Sequence, residues 1–151
     1  MIAKRKIIAL LSNTAEYALQ AVLFLADRGH ERLVRVNEIA TALDLPQNYL
    51  SKILNELVRG GVLTSSRGKH GGFGLAIAPE KLSIQDVVAR FDGARGDQRC
   101  LLGRGLCSDE DACRIHHRWK AISDQVTAFF ADTTIAELTE DVRPTGNSYV
   151  E

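Results

Sequence analysis

Apolar residues recur at helical spacing along most of the chain, in blocks separated by glycine, proline or short polar clusters. The first block, residues 14–28, carries Ala15, Ala18, Leu19, Val22, Phe24, Leu25 and Ala26, leaving a narrow polar stripe through Glu16, Gln20 and Asp27. Asn13, with Glu16 three residues on, has the form of an N-terminal capping box, and Gly29 supplies the stop. A helix that is apolar around most of its circumference predicts burial by other elements or by a second subunit.

The next two blocks are short and close together. Asn37 is expected to cap a helix over residues 38–43 that turns Ile39, Ala40 and Leu43 inward. Asp44-Leu45-Pro46 breaks it, and a second helix follows from residue 46 or 47 to residue 59, with proline tolerated in its first turn. Leu50, Ile53, Leu54, Leu57 and Val58 fall on one face of that helix, and Gly60-Gly61 ends it. Two helices joined by a tight turn, the second amphipathic, predict a helix-turn-helix. Apolar stretches at 62–65 and 73–77 then flank Arg67-Gly68-Lys69-His70-Gly71-Gly72, which reads as a β-hairpin with a basic, glycine-rich tip.

Ser83 and Asp86 cap a further helix bearing Ile84, Val87, Val88 and Phe91, after which periodicity is lost over residues 92–113. It returns over residues 114–132, where Ile115, Trp119, Ile122, Val126 and Phe129 are spaced 4, 3, 4 and 3. That is a heptad seam, predicting a long helix packed on its symmetry mate, with packing on its own domain as the other reading. Thr134 is expected to cap a last short helix running to Glu140. The fold class is therefore mainly α with a small β-hairpin wing. Residues 1–92 form a winged helix-turn-helix, residues 93–113 a cysteine-bearing loop, and residues 114–151 a dimerisation helix and tail.

Composition changes this picture little. A chain of 151 residues suits one compact domain, or a small domain with a dimerisation element. No apolar run reaches membrane-spanning length. The basic head and short apolar stretch at residues 7–11 lack a following cleavage site, so a cytoplasmic protein is expected. Net charge is zero, from 19 basic and 19 acidic residues, but its distribution is uneven. Lys4, Arg5 and Lys6 stand without a neighbouring acid, in what is expected to be a basic extension. Residues 34–82 carry six basic against four acidic side chains, and residues 121–151 set Arg143 against Asp124, Asp132, Glu137, Glu140, Asp141 and Glu151. The front half is thus the part suited to a polyanion.

Two groups of residues carry candidate chemistry. Gln47, Asn48, Ser51, Lys52 and Asn55 lie opposite the apolar stripe of the second helix and present donors and acceptors suited to base edges and phosphates. Tyr49 borders the stripe and reads equally as a packing residue or a phosphate contact. Arg67 and Lys69 on the hairpin tip suit a minor groove or a phosphate clamp, with His70 beside them. The second group is the spacing Cys100-x6-Cys107-x5-Cys113-x2-His116, which holds all three cysteines. Three thiolates and an imidazole form a four-ligand set that suits zinc or an iron–sulphur cluster, and the wide gaps favour the cluster. His117 neighbours His116, and Glu16 offers an oxygen ligand elsewhere in the chain. An enzyme built on Cys113 with His116 or His117 as base would lack an evident third group or oxyanion site, so no enzyme is expected.

These residues together resemble the Rrf-type winged-helix regulators, over nearly the whole chain. The markers are Leu11-Ser12 with Glu16-Tyr17-Ala18-Leu19, then Leu45-Pro46-Gln47-Asn48-Tyr49-Leu50, Gly61-Val62-Leu63, Arg67-Gly68 with Gly71-Gly72-Phe73, Ser83-Ile84 with Asp86-Val87-Val88, and the three cysteines. The resemblance implies a homodimer paired through its long C-terminal helices and bound to a palindromic operator on double-stranded DNA. In its IscR- and NsrR-like branches it implies a 2Fe-2S or 4Fe-4S cluster held by Cys100, Cys107, Cys113 and one further residue, with 2Fe-2S favoured. His116 matches the histidine ligand of the first branch. Glu16 stands where the second uses an aspartate, which the resemblance allows to come from the partner subunit, and His116 is the closer match. The implied function is a repressor whose operator affinity follows the cluster, sensing iron–sulphur status, nitric oxide or redox state. The alternative is a cluster-free thiol switch or a structural zinc site.

Overall fold

The structure, a computed structural model, describes residues 10–29, 31–93 and 100–139. Lys4, Arg5 and Lys6, the expected helix end at Glu140 and the last residues of the acidic tail lie outside them. The architecture is six α-helices and one antiparallel hairpin among the described residues, with every helix block read from the sequence present.

Helix α1 (Asn13–Arg28) is the element the others pack around, touching α2 (Val36–Leu43), α3 (Gln47–Arg59), the hairpin, α4 (Ile84–Asp92) and α6 (Ile135–Thr139). This is why so much of its surface is apolar: Ala15, Ala18, Ala21, Val22 and Leu25 are all buried. Its small alanines let neighbouring helices approach closely. Its N-cap is Ser12, whose hydroxyl accepts from the Ala15 amide at 3.1 Å. The capping-box expectation at Asn13 and Glu16 is thereby corrected: Asn13 already has helical backbone, and Glu16 lies one position too deep to pair with the cap.

Helix α2 also begins earlier than its sequence signal, at Val36, with Arg35 as an N-cap that makes no side-chain capping bond. The cause is tertiary. Val34 pairs antiparallel with Phe73, each amide donating to the other's carbonyl at 2.8 Å, and this pairing fixes where the chain can turn into the helix. Asn37 consequently sits inside the helix rather than capping it. Asp44 ends α2 in the left-handed conformation (φ 53°), which a short polar side chain tolerates. Pro46 then precedes α3, which buries Leu50, Ile53, Leu54 and Leu57.

Strands β1 (Leu63–Ser66) and β2 (Gly72–Leu75) pair with Leu63 opposite Leu75 and Ser66 opposite Gly72. With Val34 bridged to Phe73, the wing has a third rung anchored beside α2. A short 3-10 turn, Pro79–Lys81, leads to α4, where Ser83 and Asp86 form the expected capping box.

Helix α5 (His116–Asp132) is followed by a return to the front of the molecule. Thr134 bridges Ser83, the Ile135 amide donates to Leu82 at 2.8 Å, and Thr134 with Glu137 caps α6. Ile135 joins the main core with Val22, Leu25, Ile39, Leu50, Leu54 and Leu57. A second cluster of Ala15, Ile84, Val88 and Phe130, with Val126 against it, seats α5 on α1 and α4. Each fully buried leucine contributes roughly 1.5–3 kcal/mol. The heptad seam is unevenly covered within one chain. Val126 packs inward, whereas Ile122 is 54% and Phe129 56% exposed, and the buried aromatic is Phe130. Among the described residues no helix is long and apolar enough to cross a membrane.

Candidate functional site

Two surfaces carry the polar and reactive groups. The first is the outer side of α3. The same periodicity that buries Leu50, Ile53, Leu54 and Leu57 turns Gln47, Asn48, Lys52 and Asn55 to solvent. Ser51 is half-buried, and its hydroxyl donates to the Gln47 carbonyl at 2.9 Å, so it is partly occupied by its own helix. Tyr49 leans back onto α1: its hydroxyl lies 2.8 Å from that of Thr14, and its ring meets Tyr17 edge-on at 6.0 Å. Of the two readings open for Tyr49, the contacts found are those of a residue seating the first turn of α3 on α1.

The wing tip presents Arg67, Lys69 and His70 to solvent. Its close turn depends on glycine. A Cβ on Gly71 would collide with the Ser66 carbonyl, and one on Gly72 would fall 2.5 Å from the Val34 carbonyl oxygen. Sequence reasoning missed Arg35. Its guanidinium donates to the Lys69 carbonyl at 2.6 Å, tying the tip of the wing to the start of α2 and adding a third cation to that corner. The signal was present in an exposed arginine next to the wing-paired Val34, but it is legible only once that pairing is known.

The second surface is the turn-rich segment from Cys100 to the start of α5. Cys100, Cys107 and Cys113 are all half-buried and unbridged. Together with Arg104, Leu106, Asp111 and His116 they line one small cavity, with about 20 Å³ open to a water-sized sphere. The Cys100 thiol is drawn below its usual value, first by the Arg104 and Leu102 backbone amides and further by the thiols of Cys113 and Cys107. The Cys107 thiol is pushed up by desolvation and by the charges of Cys100 and Cys113. One thiol is thus favoured as the thiolate while a neighbour resists ionising beside it. Among the described residues no three donors already converge on the position of a single metal ion.

His116 is 2% exposed, and its Nε2 lies 2.7 Å from Asp109 Oδ1. Lys120 donates to both oxygens of the same carboxylate, at 3.2 and 3.0 Å. The His116 hydrogen bond, then Lys120, hold Asp109 below the ordinary carboxylate range, and Asp109 in turn raises Lys120. An ionised Asp109 can only accept, so His116 donates its Nε2–H to the carboxylate, and the ring nitrogen left for a metal is Nδ1. Asp109 and Lys120 were not singled out from the sequence, because their separations of 7 and 11 residues match no ligand pattern. Glu16, in the first turn of α1, does not line this cavity.

The donor chemistry fits a thiolate-bound metal group: three thiols and one oriented imidazole share a cavity at the start of α5. Comparison with known proteins bears on the chain as a whole. Residues 11–141 match the Rrf2 family, described as an iron-dependent transcriptional regulator. An HTH-type transcriptional regulator of Aquifex aeolicus is 39% identical over 131 residues, covering 85% of this chain and 90% of that one. The HTH-type transcriptional regulator IscR of Escherichia coli is 28% identical over 128 residues, 85% of this chain and 78% of its own. The structure of CymR, the global cysteine regulator of B. subtilis, superposes with a TM-score of 0.78 at 22% identity, over 90% of this chain and 100% of that one, which shows a common fold. These relatives are named as regulators, not enzymes.

Proposed function

Because this chain belongs to the Rrf2 family of winged-helix transcriptional regulators, we propose that it is a homodimeric, cytoplasmic repressor that binds palindromic double-stranded DNA and is controlled by an iron–sulphur cluster. The observation that carries the DNA part is the exposed polar face of α3 beside a basic hairpin. Asn48, Lys52 and Asn55, with Gln47 at the helix start, reach base edges and phosphates in the major groove. Arg67 and Lys69, with Arg35 bracing the wing, hold the flanking backbone or minor groove. Ser51 and Tyr49 contribute mainly by fixing the helix. Two copies pair through α5, where Ile122 and Phe129 leave apolar surface uncovered. That pairing sets the two α3 helices about one DNA turn apart.

Cys100, Cys107, Cys113 and His116 would hold the cluster, 2Fe-2S being the favoured form. When bound, such a cluster supplies a one-electron couple and an iron centre open to nitric oxide or to loss. The chain's own part is to orient His116 through Asp109 and to favour the thiolate of Cys100. Glu16 would serve only if contributed across the dimer. A second reading, a cluster-free thiol switch or zinc staple, is favoured by the mutual influence of the Cys100, Cys107 and Cys113 thiols.

Anaerobic preparation with iron and sulphide assays and an absorption spectrum tests the cluster, repeated with His116→Ala and Glu16→Ala. A visible charge-transfer band lost in H116A and retained in E16A supports the assignment, whereas a colourless, zinc-loaded protein refutes it. For DNA, selection from a random duplex pool should yield a palindrome, bound more weakly by Lys52→Ala and Arg67→Ala. No enrichment, or unchanged affinity in both variants, would count against the proposed face.

A further inference from the structure

Two side chains near the end of α4 connect with opposite ends of α3, Arg90 directly and Asp92 by way of the start of α1. Arg90 Nη2 donates to Glu56 Oε1 at 2.7 Å, on the last turns of α3. The arginine can lie there because Gly60 has no side chain. A Cβ at Gly60 would stand 2.8 Å from Arg90 Cδ and Nε, although the backbone at Gly60 is ordinary right-handed helix and does not itself require glycine. Two residues on, Asp92 accepts from both the backbone amide and the hydroxyl of Ser12. Ser12 is the N-cap of α1, and two residues further the Thr14 hydroxyl meets that of Tyr49, in the first turn of α3. The last turn of α4 therefore connects with α3 at its C-terminal end through Glu56, and at its N-terminal end through Ser12, Thr14 and Tyr49.

We propose that Arg90 and Asp92 are positioning residues that set the attitude of the recognition helix, and that α4 thereby links that helix to the cysteine segment. This rests on the reading of α3 as the DNA-contacting helix and of the cysteine segment as the sensor. Neither side chain faces the α3 reading surface, so both act through other residues. α4 packs against both α3 and α5, and α5 begins at His116 of the cysteine segment, so a rotation or shift of α4 is a direct packing route from that segment to α3. Each contact is a partly exposed polar pair, worth little to global stability. Its effect is expected on helix placement more than on unfolding.

The sign of one substitution separates positioning from electrostatics. Glu56→Gln removes a negative charge from a helix that faces a polyanion, so charge alone predicts tighter DNA binding. Positioning predicts the opposite. In the full-length chain, with a duplex obtained by selection, Glu56→Gln and Arg90→Gln should each bind about three- to fivefold more weakly. The double variant should be no weaker than Glu56→Gln alone, because that substitution already removes the Arg90 contact, together with the longer 3.4 Å pair of Glu56 with Arg59. Thermal midpoints should stay close to wild type. Amide exchange should quicken in the last turn of α3 for these variants, and in its first turn for Asp92→Asn.

Tighter or unchanged binding by E56Q, or losses that add in the double variant, would overturn the proposal. If the wild-type chain selects no duplex, the DNA reading fails on its own and the exchange data still decide. Quickened exchange confined to the expected turn supports positioning, and unchanged exchange across residues 47–59 in all three variants overturns it.

Discussion

Gly72→Ala tests whether the wing is held by its third rung. At Gly72 the backbone is in the region that L side chains rarely adopt (φ 149°), and an added Cβ would lie 2.5, 2.6 and 3.0 Å from the carbonyl oxygen, carbonyl carbon and amide nitrogen of Val34. These are backbone atoms of a buried residue, so no side chain can swing aside. Relief requires β2 and the Val34 segment to separate, which breaks the two 2.8 Å amide–carbonyl bonds between Val34 and Phe73. Each such bond is worth about 1 kcal/mol net, and the unfavourable backbone adds roughly 1–2 kcal/mol. The total is about 3–4 kcal/mol. For a domain of this size that lowers the thermal midpoint by about 6–16 °C. Gly68→Ala is the comparator, since Gly68 also has positive φ (97°) but open space around it. It should bear only the backbone part, about 1–2 kcal/mol. The measurement is circular-dichroism melting of the three proteins in parallel, with affinity for a selected duplex. G72A should melt below G68A and lose more affinity, because a detached wing no longer holds Arg67 and Lys69 in place. Equal melting of the two variants would refute the third-rung argument.

Other expectations follow from the same structure. Asp109→Asn should destabilise the metal-free chain at neutral pH. The Asp109 carboxyl is lowered by His116 and Lys120, so its contribution is present above the ordinary carboxylate range and lost as pH falls through the depressed folded value. The difference from wild type should therefore shrink on acidification, and a pH-independent difference in urea unfolding would exclude that origin. In the metal-free, reduced chain, Cys100 should be alkylated by iodoacetamide at lower pH than Cys107, since backbone amides favour its thiolate while Cys107 is disfavoured; peptide mass spectrometry reads the order, and the reverse order would contradict the assignment. Tyr49→Phe should cost about 1 kcal/mol by removing the bond to Thr14, measured by denaturant midpoint, with no change in the salt dependence of DNA binding if Tyr49 seats the helix rather than touching phosphate. Leu57→Ala should cost about 2–5 kcal/mol, because Leu57 is fully buried in the main core.

Much of this molecule was determined by sequence alone, and for local reasons. The i, i+3, i+4 spacing of Leu50, Ile53, Leu54 and Leu57 decides which side of α3 is buried, and so which residues face outward. The capping box of Ser83 and Asp86 is a contact between residues three apart, and it starts α4 where the sequence placed it. Glycines at 68, 71 and 72 make the wing tip possible, and the apolar circumference of α1 already required that it be surrounded.

What only the tertiary structure decided are features that depend on partners distant in the chain. Val34 pairing with Phe73 moved the start of α2 and made Arg35 a brace for the wing. Packing of Val126 and Phe130 against α1 and α4 covers one flank of the heptad seam and leaves Ile122 and Phe129 exposed, a difference that spacing alone cannot show. Asp109 holds the histidine that the sequence offered as fourth ligand, and Asp92 meets Ser12 across 80 residues. Local pattern specifies the elements, since capping and periodicity act within a few residues. The site belongs to the tertiary level, because hydrogen bonds and close packing between elements exist only after the chain has brought them together.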